Sequence, residues 1–305
     1  MARNLKYQLK TCVDTNFKPG MDKHSDKKNK VEKNKKIYGY SDRKNLIDFT
    51  ANFAGFMKEN YSEVKMVKDI NSEHAQSFLN EKSKLCTRAT LEQYTSKLNK
   101  MCNLVNLTYK TNLKFDIGTP VSKSGNQIIR NKQITKEHYE LVKENIKGNG
   151  LKGIELSRAF GLRVSEITKL QKRDIDLKNN IVRVIDGKGG RDRAVCIETP
   201  QQVEIASRIL NSVRGDGFQR IVPVTDNAVN MAFARALERV GLKQEYVGNK
   251  IHSIRKLYAQ ETFDRYRKSG DSIEKALGKV SVNLGHSKER GKDKDLINRY
   301  VKDIK

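Results

Sequence analysis

The stretch NNIVRVIDGKGGRDRAVCIE, residues 179–198, sets the fold class of this chain. Two β-branched runs, Ile181–Ile185 and Ala194–Ile197, flank a turn dense in glycine and aspartate, a pattern typical of a β-hairpin. Helical patterns lie on both sides of the hairpin, from about residue 134 and again from about Thr199 onward. We therefore predict that residues 134–305 form a mainly α domain with one small antiparallel sheet, an α+β fold.

A second helical region precedes this domain. In NLIDFTANFAGFMKENY, residues 45–61, the apolar positions recur at i, i+3, i+7, i+10 and i+11, which indicates one buried helix face. TLEQYTSKLNKMCNLVNL (90–107) repeats the pattern, and SEHAQSFLNEKSK (72–84) predicts a shorter helix between the two. Residues 45–112 should be a small helical domain, with its phenylalanines in the core.

The first 44 residues are strongly basic, with 13 Lys and Arg against 5 Asp and Glu. The segment DKHSDKKNKVEKNKK, residues 22–36, has one apolar side chain and cannot supply a core. We predict that residues 1–44 are a flexible N-terminal arm, which either follows nucleic-acid phosphates or is a plain solvated tail. Residues 113–133 are rich in Gly, Pro, Ser and Asn without a helical period, which predicts a linker.

The charge of the whole chain favours a polyanionic partner. Its 61 Lys and Arg exceed its 36 Asp and Glu, for a formal net charge of +25. Such a field attracts nucleic acid, and phosphate contacts then release counterions. A membrane surface would call for a basic amphipathic helix with an aromatic face, and a chain without tryptophan offers no convincing one. A merely basic protein remains the alternative.

Other composition signals exclude several classes. The four cysteines, Cys12, Cys86, Cys102 and Cys196, show neither CxxC nor Cys/His ligand spacing, and the five histidines are scattered. We expect reduced thiols, no metal and no cofactor. No apolar run reaches the roughly 18 residues of a membrane span, and the first residues lack the apolar segment of a signal peptide. The expected location is the cytoplasm.

Several basic and aromatic side chains are candidates for chemistry. His252 and Arg255, in NKIHSIRKLY, are three positions apart and should share a helix face. Arg163, in GLRVSE, precedes Glu166 by three positions, so it forms either an ordinary ion pair or a ligand-directed arginine. Taken alone, each of these features is most often a solvated surface.

Three further side chains are candidates for chemistry. Lys188 lies between glycines at the hairpin tip DGKGGRDR, His286 follows Gly285 in LGHS, and Tyr300 lies in INRYVKD near the C-terminus. Singly they are weak signals, because a lysine on a turn is usually only solvated. The informative feature is the order of the whole series along the chain: Arg163, Lys188, His252 with Arg255, His286 and Tyr300.

That order resembles the tyrosine recombinase, or phage integrase, family. The resemblance covers about residues 135–305, and residues 45–112 resemble the helical core-binding domain of that family. It implies that residues 134–305 are a tyrosine-recombinase catalytic domain, and it implies six catalytic residues: Arg163, Lys188, His252, Arg255, His286 and the nucleophile Tyr300.

The side-chain chemistry agrees with these roles. A phenol is a nucleophile that can leave again, so it can store a phosphodiester bond in a covalent intermediate. Two arginines can fork onto the nonbridging oxygens and neutralise the charge of the transition state. A lysine can protonate the departing 5′ oxygen, and histidines that titrate near neutrality can assist, without any metal.

The resemblance also implies partners and products. It implies a 3′-phosphotyrosyl link, a free 5′-OH and strand exchange through a four-way junction. The protein would act on double-stranded DNA of the nucleoid as a homotetramer, be a monomer or weak oligomer when free, and work with accessory DNA-bending or directionality proteins.

The spacing before Tyr300 departs from the family pattern. Thirteen residues separate it from His286, several more than is common in the family. Tyr258 and Tyr266 are therefore rival nucleophiles, although both lie on or just after the predicted HxxR helix and are expected to pack. Tyr300 is favoured.

The role of the reaction stays open at this point. An integrase, a relaxase-type nickase for conjugative transfer and a dimer-resolving recombinase would all use the same six residues. A non-catalytic DNA-binding protein of the same fold is a further alternative, although it would not need a tyrosine matched to a lysine acid.

Overall fold

The computed structural model describes residues 4–21, 25–26, 36–124, 132–187, 190–248, 250–293 and 297–304. The chain forms two compact units, Met1–Ile128 and Ile129–Lys305. Within the described ranges, no helix combines the length and the apolar character that crossing a membrane requires.

Among its described residues, all the regular elements of the first unit are helices. Asn71 begins its third helix by accepting a hydrogen bond from the backbone N–H of His74 at 3.1 Å. The elements are α1 (Leu5–Thr15), α2 (Tyr40–Asn60), a 3₁₀ turn (Val67–Asp69), α3 (Ser72–Ser83) and α4 (Arg88–Tyr109).

Aromatic rings fill the core of the first unit. Phe78 of α3 contacts three phenylalanines of α2, with ring centroids 5.9 Å from Phe49, 5.2 Å from Phe53 and 5.4 Å from Phe56, all in T-shaped geometry. Each of these four rings is at most 5% exposed. The apolar stripe predicted for residues 45–61 is therefore confirmed as a core face.

The prediction of a flexible arm over residues 1–44 is wrong for residues 4–21 and 36–44. Helix α1 buries Leu5, Leu9, Cys12 and Val13 in the core of the first unit. These positions follow i, i+4, i+7 and i+8, an amphipathic stripe that the basic composition conceals. Most of the basic centre, residues 22–24 and 27–35, lies outside the described residues.

The predicted linker is also wrong over its first half. Residues 113–124 contain no helix or strand, but Leu113, Phe115 and Ile117 pack against the core of the first unit. Asn106 of α4 fixes this segment by accepting the Leu113 N–H at 2.8 Å and donating to the Leu113 carbonyl at 2.8 Å. Residues 125–131 lie outside the described ranges.

The second unit combines helices with a small sheet. Its helices are α5 (Lys136–Glu144), α6 (Gly148–Phe160), α7 (Val164–Ile167), α8 (Pro200–Asn211), α9 (Asp226–Arg239), α10 (His252–Lys268) and α11 (Ile273–Asn283), with 3₁₀ turns at Lys172–Asp174 and Lys288–Lys292. This mainly α architecture with a minor sheet is the predicted fold class.

The sheet contains the predicted hairpin. Strands β2 (Ile181–Val184) and β3 (Arg193–Cys196) pair antiparallel, with Val182 opposite Val195 and Val184 opposite Arg193, and β1 (Ile175–Asp176) adds to the other edge of β2. Val182 and Val195 are fully buried. Alternate side chains of the hairpin strands therefore face the core, as the β-branched runs predict.

Helix α10 is the central element of the second unit. Most of its residues from Ser253 to Phe263 are buried, so the helix exposes no continuous face to solvent over this length. Gly161 ends α6 at a φ of +61° beside it, and a Cβ there would come within 2.4 Å of the Tyr258 ring. Only glycine combines this positive φ with so close an approach to the ring. The close approach brings the chain at Arg163 back toward α10.

Candidate active site

The first turn of α10 carries two of the predicted residues. His252, the first helical residue, is exposed, whereas Arg255 one turn later is 0% exposed. The guanidinium of Arg255 donates hydrogen bonds to the carbonyl oxygens of Gly161 and Leu284. Arg255 is thus a core residue and not part of a solvated helix face.

Arg163 lies at the start of α7 and is held by Glu166. The carboxylate of Glu166 accepts the backbone N–H of Arg163 at 2.8 Å and its guanidinium at 2.8 Å. Glu166 thus caps the start of α7, the helix on which it lies, and the same carboxylate fixes the Arg163 side chain. Of the two readings, the ordinary Arg–Glu pair is present, and it also orients the arginine.

Arg193, at the start of β3, is a residue that sequence reasoning did not single out. Its two terminal nitrogens donate to both carboxylate oxygens of Glu166 at 2.8 Å each, and its Nε donates to the Asn283 carbonyl at 3.2 Å. The fork joins the sheet to α7 and to the end of α11. Its signal in the sequence was a third cation in the hairpin tip DGKGGRDR, which an exposed turn would equally contain.

Glu166 lies between these arginines. Arg255 is the third of them, with 3.8 Å between its Nη1 and Glu166 Oε2. Burial alone would raise the pKa of Glu166, but the hydrogen bonds and charge of Arg193, aided by the backbone of Arg163 and the charge of Arg255, lower it to about 2. At neutral pH one carboxylate therefore faces three guanidinium groups.

The resulting site has an excess of positive charge. Burial, followed by the repulsion from Arg163, lowers the pKa of Arg255 to about 10, which leaves it cationic near neutrality. Its Nε lies buried without a hydrogen-bond partner among the described residues. A cluster of this kind is built to receive an anion.

His286 is positioned by the end of α11. The N–H of His286 donates to the Ser281 carbonyl at 2.9 Å, and the N–H of Gly285 to Val282 at 2.8 Å, the two bonds of a Schellman motif. Gly285 has a φ of +73°, and a Cβ there would lie 3.0 Å from Arg193 Nη1. The glycine before this histidine is thus required both by the turn and by Arg193.

Tyr300 lies among the predicted residues. Its ring centroid is 5.5 Å from that of His252 and 6.0 Å from that of His286, and the Cζ of Arg255 lies 5.8 Å from it. The side chain is 7% exposed and belongs to a small apolar cluster with Ile297 and Val301. The longer spacing after His286 does not prevent this approach.

The rival tyrosines have other partners. The Tyr258 ring packs against Gly161 and its hydroxyl hydrogen-bonds with Thr262. The Tyr266 hydroxyl donates to Glu198 Oε1 at 2.7 Å, and burial together with this bond raises its pKa. Both therefore act as packing residues in this structure.

Lys188, the sixth predicted residue, lies outside the described residues, as does Gly189. The preceding Gly187 is described, and a Cβ built on it would lie 3.5 Å from Glu166 Oε1 and 3.4 Å from Arg193 Nη1. The hairpin turn therefore starts beside the arginine cluster.

The structure thus brings five predicted residues into one region. Arg163 and Arg255 meet through Glu166, and His252, His286 and Arg255 surround Tyr300. Over the described ranges, no three His, Cys, Asp or Glu side chains group as a metal site would require. Chemically, the region places a phenol beside guanidinium and imidazole groups.

Known proteins share the sequence features of this region. Residues 133–278, just under half of the chain, match the model of the phage integrase family. This range includes Arg163, Lys188, His252 and Arg255.

Two curated relatives match over shorter segments. Tyrosine recombinase XerD of Ralstonia nicotianae is 57% identical over 42 residues, 14% of each chain. Putative integrase/recombinase y4qK of Sinorhizobium fredii is 34% identical over 106 residues, 33% of each chain. The chain thus matches a third or less of the length of either relative.

Two solved structures are similar over nearly the whole chain. The XerH site-specific recombinase bound to palindromic difH substrate has a TM-score of 0.62 at 17% identity, over 95% of this chain and 90% of that one. A lambda integrase tetramer bound to a Holliday junction has a TM-score of 0.63 at 13% identity, over 94% and 75%. These similarities concern the fold, and residues 133–278 are similar in sequence to the phage integrase family, the tyrosine recombinases.

Proposed function

We propose that this protein is a site-specific DNA recombinase that cleaves and rejoins double-stranded DNA through a 3′-phosphotyrosyl intermediate, with Tyr300 as nucleophile. The observation that carries the proposal is the approach of three side chains to Tyr300: His252 and Arg255 from the start of α10, and His286 from the end of α11. A tyrosine that served packing alone would not need three cationic or titratable neighbours.

The proposed cleavage is a transesterification. The Tyr300 hydroxyl oxygen attacks the scissile phosphorus and loses its proton to a histidine, either His252 or His286. The bond from phosphorus to the 5′ oxygen breaks, and Lys188 protonates that leaving oxygen. Reversal of the same steps by the 5′-OH of another strand rejoins the DNA. The positive charge for the transition state comes from arginines, so the chemistry uses no metal.

Arg163 and Arg255 would bind the nonbridging oxygens of the phosphate. Their common contact with Glu166 supports this role, because a shared acceptor fixes the two guanidinium groups relative to each other before substrate arrives. Arg255 is fully buried beneath the Tyr300 ring. We infer that the ring rotates aside about its own side-chain bonds when a phosphate reaches Arg255, while the main chain of Tyr300 stays in place.

The partners follow from charge and from the solved relatives. A net charge of +25 supports strong phosphate binding with a steep dependence on salt. A lambda integrase of similar fold was captured as a tetramer on a Holliday junction. By that analogy we propose a homotetramer on nucleoid DNA in the cytoplasm. We propose accessory DNA-bending or directionality proteins as further partners.

The test is covalent capture on a nicked suicide substrate, from which the cleaved strand diffuses away. The wild-type chain should form an adduct that withstands denaturation, and Tyr300→Phe should abolish it while DNA binding stays nearly unchanged, since phosphate contacts remain. Tyr258→Phe and Tyr266→Phe are matched controls that should keep the adduct. An adduct that persists in Tyr300→Phe would overturn this assignment.

A further inference from the structure

Gln260 of α10 grips the main chain that follows Tyr300. Its Oε1 accepts the N–H of Lys302 at 2.8 Å and of Asp303 at 3.2 Å, and its Nε2 donates to the Asp303 carbonyl at 3.0 Å. Asp264 takes a further bond from Nε2 at 3.1 Å. Gln260 is 7% exposed, so these bonds form away from bulk water.

The segment held in this way has little regular structure of its own. Around Tyr300 the chain makes a single turn, in which the N–H groups of Tyr300 and Val301 both donate to the Ile297 carbonyl at 2.8 Å. Residues 302–304 are exposed and belong to no helix or strand. A chain of this kind frays easily unless a side chain ties its backbone down.

The anchor lies on the helix that carries the proposed phosphate ligands. Gln260 is one and a half turns after Arg255 and eight residues after His252, about 12 Å along α10. A rigid, buried helix thus links the main chain beyond Tyr300 to the two side chains that Tyr300 faces. Because the bonds go to backbone atoms, they do not depend on the side chains of residues 302 and 303.

We propose that Gln260 is a positioning residue for DNA cleavage, which holds the chain after Tyr300 so that the phenol stays at the phosphate site. The proposal rests on the function proposed above. Nothing in the family match or the sequence order singles this glutamine out. It acts through Tyr300 and has no contact with the reacting atoms.

The test compares Gln260→Ala with a matched control in the full-length chain. Gln202 of α8 is also a buried glutamine whose Oε1 accepts two backbone N–H groups, those of Glu198 and Thr199, while its Nε2 donates to the Ala159 carbonyl. Gln202→Ala removes the same number of main-chain bonds without touching the Tyr300 segment. Both variants should lose similar thermal stability.

The informative readout is single-turnover adduct formation at saturating DNA. Mispositioning of the nucleophile should lower the rate constant of Gln260→Ala about 10- to 100-fold, with the final amplitude and the DNA affinity retained. General destabilisation would lower the amplitude and leave the rate constant unchanged, which is the expected result for Gln202→Ala. Gln260→Glu keeps the two acceptor bonds but not the donor bond, and it should be intermediate.

The outcomes separate the two proposals. If the wild-type chain forms no adduct, the proposed function fails. If the adduct forms and Tyr300→Phe abolishes it, but the rate constant of Gln260→Ala equals that of Gln202→Ala, then the role of Gln260 fails alone. Should Gln260→Ala not fold, the rate constant of Gln260→Glu decides, and a wild-type value overturns the proposal.

Discussion

The two units of this protein are both largely helical, but they bury different kinds of side chain. Among its described residues, the first unit buries no Lys, Arg, Asp or Glu, and phenylalanines grouped around Phe78 form much of its core. The described part of the second unit buries six such residues: Glu155, Glu166, Asp174, Arg255, Lys256 and Asp271.

This difference shows that, in the part of the chain that the structure describes, only the second unit buries charged side chains, at a cost in folding free energy. Burying a charge costs several kcal/mol unless partners compensate it, so a core that serves only stability is filled with apolar groups. In the second unit, Arg255 and Glu166 compensate each other incompletely, since three arginines face one carboxylate. Retained excess charge is expected where a protein must bind an anion.

The largest effect should come from removing that charge. We predict that Arg255→Ala lowers the rate of DNA cleavage about 10²- to 10³-fold or more per folded molecule, because the transition state loses its partner. Arg163→Ala should have a comparable effect. The measurement is single-turnover adduct formation.

The control for this comparison is Arg183→Ala. Arg183, on β2, pairs with Asp176 at 2.6 Å in the same sheet that carries Arg193. The variant removes a charge of the same type and should cleave at close to the wild-type rate. Cleavage by Arg255→Ala at that same rate would remove Arg255 from the site.

The second effect concerns the pH dependence of stability. The pKa of Glu166 is lowered from 4.5 to about 2 on folding, so its stabilising contribution is fully present above about pH 4.5 and is lost as the pH falls toward 2. Arg193→Ala removes the main opposing partner and should destabilise the second unit by about 3–5 kcal/mol near neutral pH. This deficit should shrink in acid.

Denaturant unfolding of the wild-type chain and Arg193→Ala between pH 2 and 7 measures this difference. Arg183→Ala again serves as the control and should follow the wild-type profile. A deficit of Arg193→Ala that stays constant over the whole range would show that Glu166 does not depend on Arg193 for its ionisation.

The smallest of the three effects tests the apolar side of the comparison. Leu9 of α1 is 0% exposed in the core of the first unit, and Leu9→Ala should cost about 2–3 kcal/mol of unfolding free energy. Tyr7, on the same helix and 45% exposed, is the control, and Tyr7→Ala should change stability by less than about 0.5 kcal/mol. Equal stability of the two variants would show that α1 does not contribute to the core of the first unit.

Much of the fold was predictable because its signals are local. The β-branched runs around a Gly-rich turn predicted the hairpin, and the apolar period predicted α2. Each pattern can be read because it reflects contacts within one element. The arm and the linker were mispredicted for the opposite reason. Leu9 and Phe115 lie in segments whose overall composition is polar, and only packing against α2 and its neighbours makes them core residues.

The candidate site divides in the same way. Order along the chain pointed to Arg163, His252, Arg255, His286 and Tyr300, and the structure groups these five. Arg193 and Gln260 went unnoticed because their partners are 27 and more than 40 residues away in sequence. No spacing rule reaches such partners, since their distance is set by how helices and sheet pack.

By itself, the sequence determined the elements and the identity of the reactive groups: helical periods, one hairpin, a basic excess and an ordered series of cations ending in a tyrosine. Only the tertiary structure decided that Arg255 is fully buried, that Glu166 holds three arginines and that Tyr300 returns to α10. The physical reason is that a side chain carries its charge wherever it lies, whereas its burial and its partners exist only once distant segments have packed together.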